Sequence, residues 1–239
     1  MSMSLKKRRT WLVVLVGLLL AVALFTNADN YTATVQEKKS PASTASSQAS
    51  PIVESPAIDA LAKLPVKGRA AKTGYARTQF GNGWADVQGC STREIILNRD
   101  MVDKKVEDCK VMSGTLHDPY TGKDIAFTRG AQTSAAVQID HVVALSNAWQ
   151  TGAQQLSAEV RKQLANDPLE LLAVDGLANQ QKSDGDAATW LPSSKAFRCQ
   201  YVARQIAVKT KYNLWVTQSE KDAITRILSA CPGQMLPSE

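Results

Sequence analysis

"VQIDHVVALSNAWQTG" (Val137–Gly152) carries one of the two histidines in the chain. Val137, Ile139, Val142 and Val143 give this stretch β-branched, apolar character, so Ala136–Leu145 is expected to be a buried strand. Asp140 and His141 sit side by side inside it. An acid and an imidazole buried without partners cost free energy, so the rest of the chain must supply partners for both. In a regular strand the two side chains point to opposite faces. They reach a common ligand only if the strand twists or ends there, or if the ligand sits at its edge.

Downstream, "LELLAV" (Leu169–Val174) reads as a second short strand, with Asp175-Gly176 as a turn and Leu177–Ser183 as a short helix. Between the strands, Ser146–Trp149 starts a helix and Ser157 caps another. That second helix ends near Asn166–Asp167, because Pro168 disfavours helical geometry before it. Upstream, helices are expected over Ile58–Leu64 and around Thr92–Arg99, and strands over Lys110–Leu116 and Asp124–Thr128. "DPYTG" (Asp118–Gly122) is turn chemistry. A long helix follows Pro192. Thr217-x-x-Glu220 is a capping-box pattern opening a last helix with Ala223, Ile224, Ile227 and Leu228 on one face.

The first thirty residues have a different character. A basic cluster (Lys6, Lys7, Arg8, Arg9) precedes an apolar run from Trp11 to Phe25. Such a helix spans roughly 22 Å, short of the ~30 Å hydrocarbon core. Residues 1–28 are read as a signal sequence or an N-terminal membrane anchor, and either way the remainder is exported. Residues 29–57, rich in Ser, Ala, Thr and Pro, are a disordered linker, and 58–239 form one domain. Removing the four leader cations from 28 basic residues leaves 24 against 22 acidic ones, so bulk charge argues for no particular partner. Lys195–Lys211 holds five basic residues and no acidic ones, most simply a solvated helix face.

Four cysteines (Cys90, Cys109, Cys199, Cys231) lie in the exported part, where disulfides persist. Three pairings are possible; sequence proximity favours Cys90–Cys109 and Cys199–Cys231. No C-x-x-C spacing supports zinc.

Three polar sites punctuate the strand–strand–helix region: Asp140-His141, Asn166-Asp167 and Asn179-x-x-Lys182. Asn179 and Lys182 share a helix face. Acid and amide oxygens bind a hard, largely hydrated divalent cation. A neutral imidazole takes a proton from water, and an ammonium holds phosphate as a point charge. These are the parts needed for hydrolysing a phosphodiester.

"IDHVVAL", "NDPLELLAV" and "ANQQKSD", together with "DPYTG", "DHVVALSNAW" and "DAATWLP", resemble the HNH nucleases. The resembling branch is the C-terminal domain of GmrSD-type restriction endonucleases, also found in exported proteins of Gram-positive, often actinobacterial, cells. The resemblance runs from about Tyr75 to Cys231. It implies an α+β fold with a ββα-metal core, surrounding helices and disulfide bracing. It implies His141 as general base, Asn166 orienting that base, Asp140 and Asn179 as metal ligands, and Lys182 on phosphate. Asn179 stands where many members have histidine, which favours Mg²⁺ or Mn²⁺ over zinc. Arg93 is a further phosphate candidate. Asp184 and Asp186 are candidates for outer contacts, and Trp84, Trp149 and Trp190 are read as core aromatics.

The expectation is therefore a secreted or anchored, monomeric endonuclease of low sequence specificity, acting on DNA, with RNA as a further candidate substrate. No added reader module is recognisable, and phosphate contacts carry no base information. The competing expectation is a non-catalytic exported module that binds nucleic acid or another polyanion.

Overall fold

The computed structural model of the protein describes residues 56–237. The leader and most of the linker expected from the sequence lie outside the described residues. Within them, no helix is long and apolar enough to cross a membrane.

In chain order the elements begin with α1 (Ala57–Lys63), β1 (Asp86–Val87), β2 (Cys90–Ser91) and α2 (Thr92–Asp100). Then come β3 (Met101–Glu107), β4 (Lys110–His117), β5 (Asp124–Thr128), β6 (Val137–His141), α3 (Leu145–Gln150) and α4 (Ala158–Asn166). The chain closes with β7 (Leu171–Asp175), α5 (Gly176–Lys182), α6 (Arg198–Lys211) and α7 (Gln218–Ser229). The fold is α+β, with strands paired β1–β2, β3–β4–β5 and β6–β7, each pair antiparallel.

The β6–β7 pair is the partition on which everything else is hung. Its register sets Ile139 opposite Ala173, and Asp140 opposite Leu172. Cross-strand partners share a face and neighbours alternate. One face therefore carries Val137, Ile139, Leu171 and Ala173 into a core built with Ile96, Leu97, Leu116 and Phe127. The other turns Leu172 and Val174 into a larger core with the helices α1, α3, α4, α6 and α7. Both faces of β7 are buried, which is why "LELLAV" reads as a continuous apolar run without alternation.

Helix starts follow local chemistry. Ser91 accepts from Glu94 N, and Ser157 from Val160 N. The Thr217–Glu220 capping box is formed at α7. Asp175-Gly176, expected to be a turn, instead starts α5: Asp175 accepts from Ala178 N at 2.7 Å. The strand expected over Ala136–Leu145 is shorter: β6 ends at His141 and α3 begins at Leu145. Strand β3 was not foreseen; all its residues after Met101 are exposed, so it shows no apolar alternation.

Two disulfides brace the fold, Cys90–Cys109 and Cys199–Cys231, the pairings that sequence proximity favours. The second joins α6 to the end of α7. At the other end of the same two helices, Lys209 and Glu220 form a buried ion pair at 2.7 Å.

Candidate active site

Strand β6 pairs with β7 only, leaving its other edge unpaired among the described strands. A cleft of about 640 Å³ runs along that edge. Both Asp140 and His141 line it, with Asn179 from α5 and Arg93 from α2. This answers the difficulty of opposite faces: the two side chains leave β6 on opposite sides, at its last two positions, and the cleft lies along the edge that both flank.

Asp140 lies on the helix-facing side of β6 and is almost fully buried. The Lys182 ammonium donates to its Oδ1 at 2.9 Å and to the His141 carbonyl at 2.8 Å. The Tyr120 hydroxyl donates to its Oδ2. Tyr120 is delivered by the "DPYTG" turn, which Asp118 closes by accepting from Thr121 N (2.7 Å) and ties to β7 by accepting from Asp175 N (2.8 Å). Burial pushes the Tyr120 phenol well above its ordinary range, with the Asp140 carboxylate adding to it. Tyr120 therefore stays a hydrogen-bond donor. Lys182 is fully buried and does not line the cleft. The sequence placed its ammonium on phosphate, but here it neutralises and orients Asp140.

His141 is buried, and its Nε2 lies 3.0 Å from the Ala165 carbonyl. A carbonyl only accepts, so Nε2 carries the proton and the neutral ring keeps its lone pair on Nδ1. The Trp84 ring lies parallel to the imidazole, 4° from coplanar with centroids 5.6 Å apart. Trp84 is thus a neighbour of the candidate base rather than only a core aromatic, whereas Trp149 and Trp190 do pack in or against the larger core. Burial lowers the imidazole pKa to about 3, with the charges of Arg77 and Lys182 adding to it and the Ala165 carbonyl opposing.

This shift has a consequence for stability. In the unfolded chain the imidazole takes a proton near pH 6.5, whereas the native ring resists it down to about 3. Between those values the unfolded state binds more protons. Native stability is therefore complete above pH 6.5 and falls as pH drops towards 3, by up to about 1.4 kcal/mol per unit. Urea midpoints should decline from pH 7 to 4.5, and the decline should be shallower in His141→Gln. Equal slopes in the two proteins would contradict the burial of a neutral ring.

Asn166 does not line the cleft. Its side chain accepts from Ala85 N (2.7 Å) and donates to the Lys162 carbonyl (2.9 Å). It thereby ties the segment carrying Trp84 to the helix end whose Ala165 carbonyl holds His141. Asn179 donates to Gln138 Oε1 (2.9 Å), which leaves its own oxygen for another partner. Arg93 lies 3.5 Å from Glu94, which Arg129 also engages at 2.5 Å. His117 is exposed, paired with Asp124, and outside the cleft. Asp184 lines the cleft and binds Lys72 (3.1 Å) and Ser146 (3.1 Å), while Asp186 is buried against Arg69 (2.7 Å).

Sequence reasoning missed Lys72, Tyr75 and Arg77, which bring two more cations to the cleft. They belong to an aperiodic segment strapped down by distant backbone bonds: Ala70 N donates to the Gln150 carbonyl (2.8 Å), and Trp149 Nε1 to that of Thr73 (3.3 Å). It also missed Glu170, which is fully buried and accepts from Val143 N (3.1 Å), bracing the chain just past His141. A lone acid inside "LELLAV" was the available signal.

Among the described residues, no group of three or more His, Cys, Asp or Glu side chains is placed to hold a metal ion. The carboxylates at the cleft are Asp140 and Asp184, both already hydrogen-bonded, and its amides are Asn179 and Gln138, the oxygen of Gln138 being taken by Asn179. All four cysteines are in disulfides. That set does not suit zinc. It fits a hard cation that keeps most of its water and leans on a substrate phosphate.

Residues 93–227 match the family "GmrSD restriction endonucleases, C-terminal domain", and the chain belongs to that family. It is also 38% identical over 176 residues to a protein of Arthroderma benhamiae (strain ATCC MYA-4681 / CBS 112371) described as an uncharacterized secreted protein. The match covers 72% of this chain and 82% of that one. No solved structure matches the chain.

Proposed function

We propose that the protein is an exported HNH-type endonuclease with a ββα-metal core formed by β6, β7 and α5, hydrolysing phosphodiester bonds of DNA, with RNA as a further candidate substrate. The observation that carries this reading is the contact between His141 Nε2 and the Ala165 carbonyl, which fixes the tautomer. Its Nε2–H is committed to the Ala165 carbonyl, which leaves Nδ1 unprotonated on a ring that lines the same cleft as Lys72, Arg77 and Arg93. Membership of a family named for restriction endonucleases supports the substrate class. The secreted relative, together with the two disulfides, supports export.

In this reading Arg77 and Arg93 seat the phosphate through charge-assisted hydrogen bonds. His141 accepts the proton of the attacking water. Asn166 is a positioning residue that keeps Trp84 and Ala165 in place around the ring. Lys182 and Tyr120 fix the Asp140 carboxylate. Asp140 and Asn179 would hold Mg²⁺ or Mn²⁺, and the bound ion would supply charge stabilisation to the phosphate oxygens. Sequence specificity should be low, since cationic contacts read the backbone only, and binding should weaken as salt rises.

The Lys182–Asp140 pair favours a second reading, a non-catalytic polyanion binder, because it already uses the carboxylate's charge. One assay separates the two. Purified protein incubated with supercoiled plasmid in Mg²⁺ is expected to nick it, and excess EDTA to stop the nicking. Asp140→Ala and Asn179→Ala are expected to need far more Mg²⁺. Binding without nicking under any divalent ion would support the second reading, and nicking in EDTA would refute the metal assignment.

A further inference from the structure

A second cavity, of about 230 Å³, lies against the candidate active site, and His141 forms part of the wall of both. Its apolar walls are Trp84, Phe80, Leu145 and Ala165, and Thr78 and Asn82 add polar side chains. The loop from Gly81 to Gly83 makes its rim, with positive φ at both glycines (104° and 108°). Arg77 is shared with the polar cleft. Trp84 is only half-buried, so its indole is not fully used up by packing. The volume falls below the roughly 300–1,000 Å³ of pockets that take drug-sized ligands. It suits one flat ring system.

We propose that this pocket receives a single nucleobase of the substrate, the one next to the phosphate under attack, and that the protein therefore prefers single-stranded or locally unpaired nucleic acid to intact duplex. The inference rests on the phosphodiesterase reading above. Arg77, at the junction of the two cavities, is placed to hold the phosphate that links the nucleotide in the pocket to the one in the cleft. A base can enter such a pocket only after leaving its stack and its partner, a cost that duplex imposes and a single strand does not. Stacking on an aromatic wall is tolerant of base identity, because every base has a π-face. Besides His141 and the phosphate-seating Arg77, Thr78 and Asn82 are the polar side chains of the lining, and the stacking walls read no base edge, so the preference should be for strandedness more than for sequence.

The test uses single-stranded oligonucleotides with a mapped cleavage site and one abasic residue moved through each position around it. With wild-type protein and Mg²⁺, one position beside the cut should lower kcat/KM by about 5- to 150-fold, the range that loss of one base stack produces. The other positions should change it much less. Intact single strand should be cut at least about tenfold faster than the same sequence as duplex. Thr78 lines the pocket but not the cleft. Thr78→Trp should fill the pocket and bring the intact oligonucleotide down to the rate of the abasic one. Equal cutting of single strand and duplex, with abasic residues tolerated everywhere, would overturn the pocket assignment and leave the nuclease reading intact. Failure of wild-type protein to cut either form would sink the nuclease reading, and this inference with it.

Discussion

Replacing His141 by glutamine is expected to lower kcat for plasmid nicking by about 10²- to 10⁴-fold, the usual contribution of a positioned general base, with KM little changed. Glutamine can still donate to the Ala165 carbonyl that now accepts from Nε2. The loop geometry should survive, and circular dichroism should match the wild type. What disappears is the unprotonated ring nitrogen. A fall in kcat with constant KM marks an interaction made in the transition state only. A rise in KM at unchanged kcat would make His141 a binding residue.

Lys182→Met should have the largest effect on stability. It leaves Asp140 buried with Tyr120 as its remaining hydrogen-bond donor. Breaking a buried pair from one side costs about 3–5 kcal/mol. For a chain of this size that lowers Tm by about 6–20 °C. The double variant Asp140→Leu/Lys182→Met should recover most of the loss, since no charge is then stranded, while remaining inactive. The opposite pattern, normal Tm with weakened substrate affinity, would restore the phosphate contact that the sequence implied for Lys182.

That residue illustrates how far the sequence could be read. The three-residue spacing of Asn179 and Lys182 correctly put both on one face of α5. Both meet β6, where Gln138 and Asp140 are two apart and so share a face as well. Helix spacing says nothing of depth, however, and depth decides that Asn179 reaches the cleft while Lys182 lies beneath it. Strand β7 was legible because both its faces are apolar, and α4 and α7 because Ser157 and Thr217 cap them. Strand β3 was not, since nearly all of it faces water. Lys72, Tyr75 and Arg77 reach the site through long-range backbone bonds, and their segment carries no periodicity to announce it. Trp84 was read as packing because its partner, His141, is more than fifty positions away in the chain.

The central claim is that the cleft presents a neutral His141 with its proton on Nε2. The chain has two histidines, so ¹⁵N-detected imidazole spectra as a function of pH resolve both. His117, exposed and hydrogen-bonded to Asp124, should titrate above the ordinary histidine value of about 6.5. His141 should show a protonated Nε2 and a bare Nδ1 from pH 8 to pH 5 without a titration step. A His141 proton on Nδ1, or a His141 midpoint near 6.5, would contradict the account.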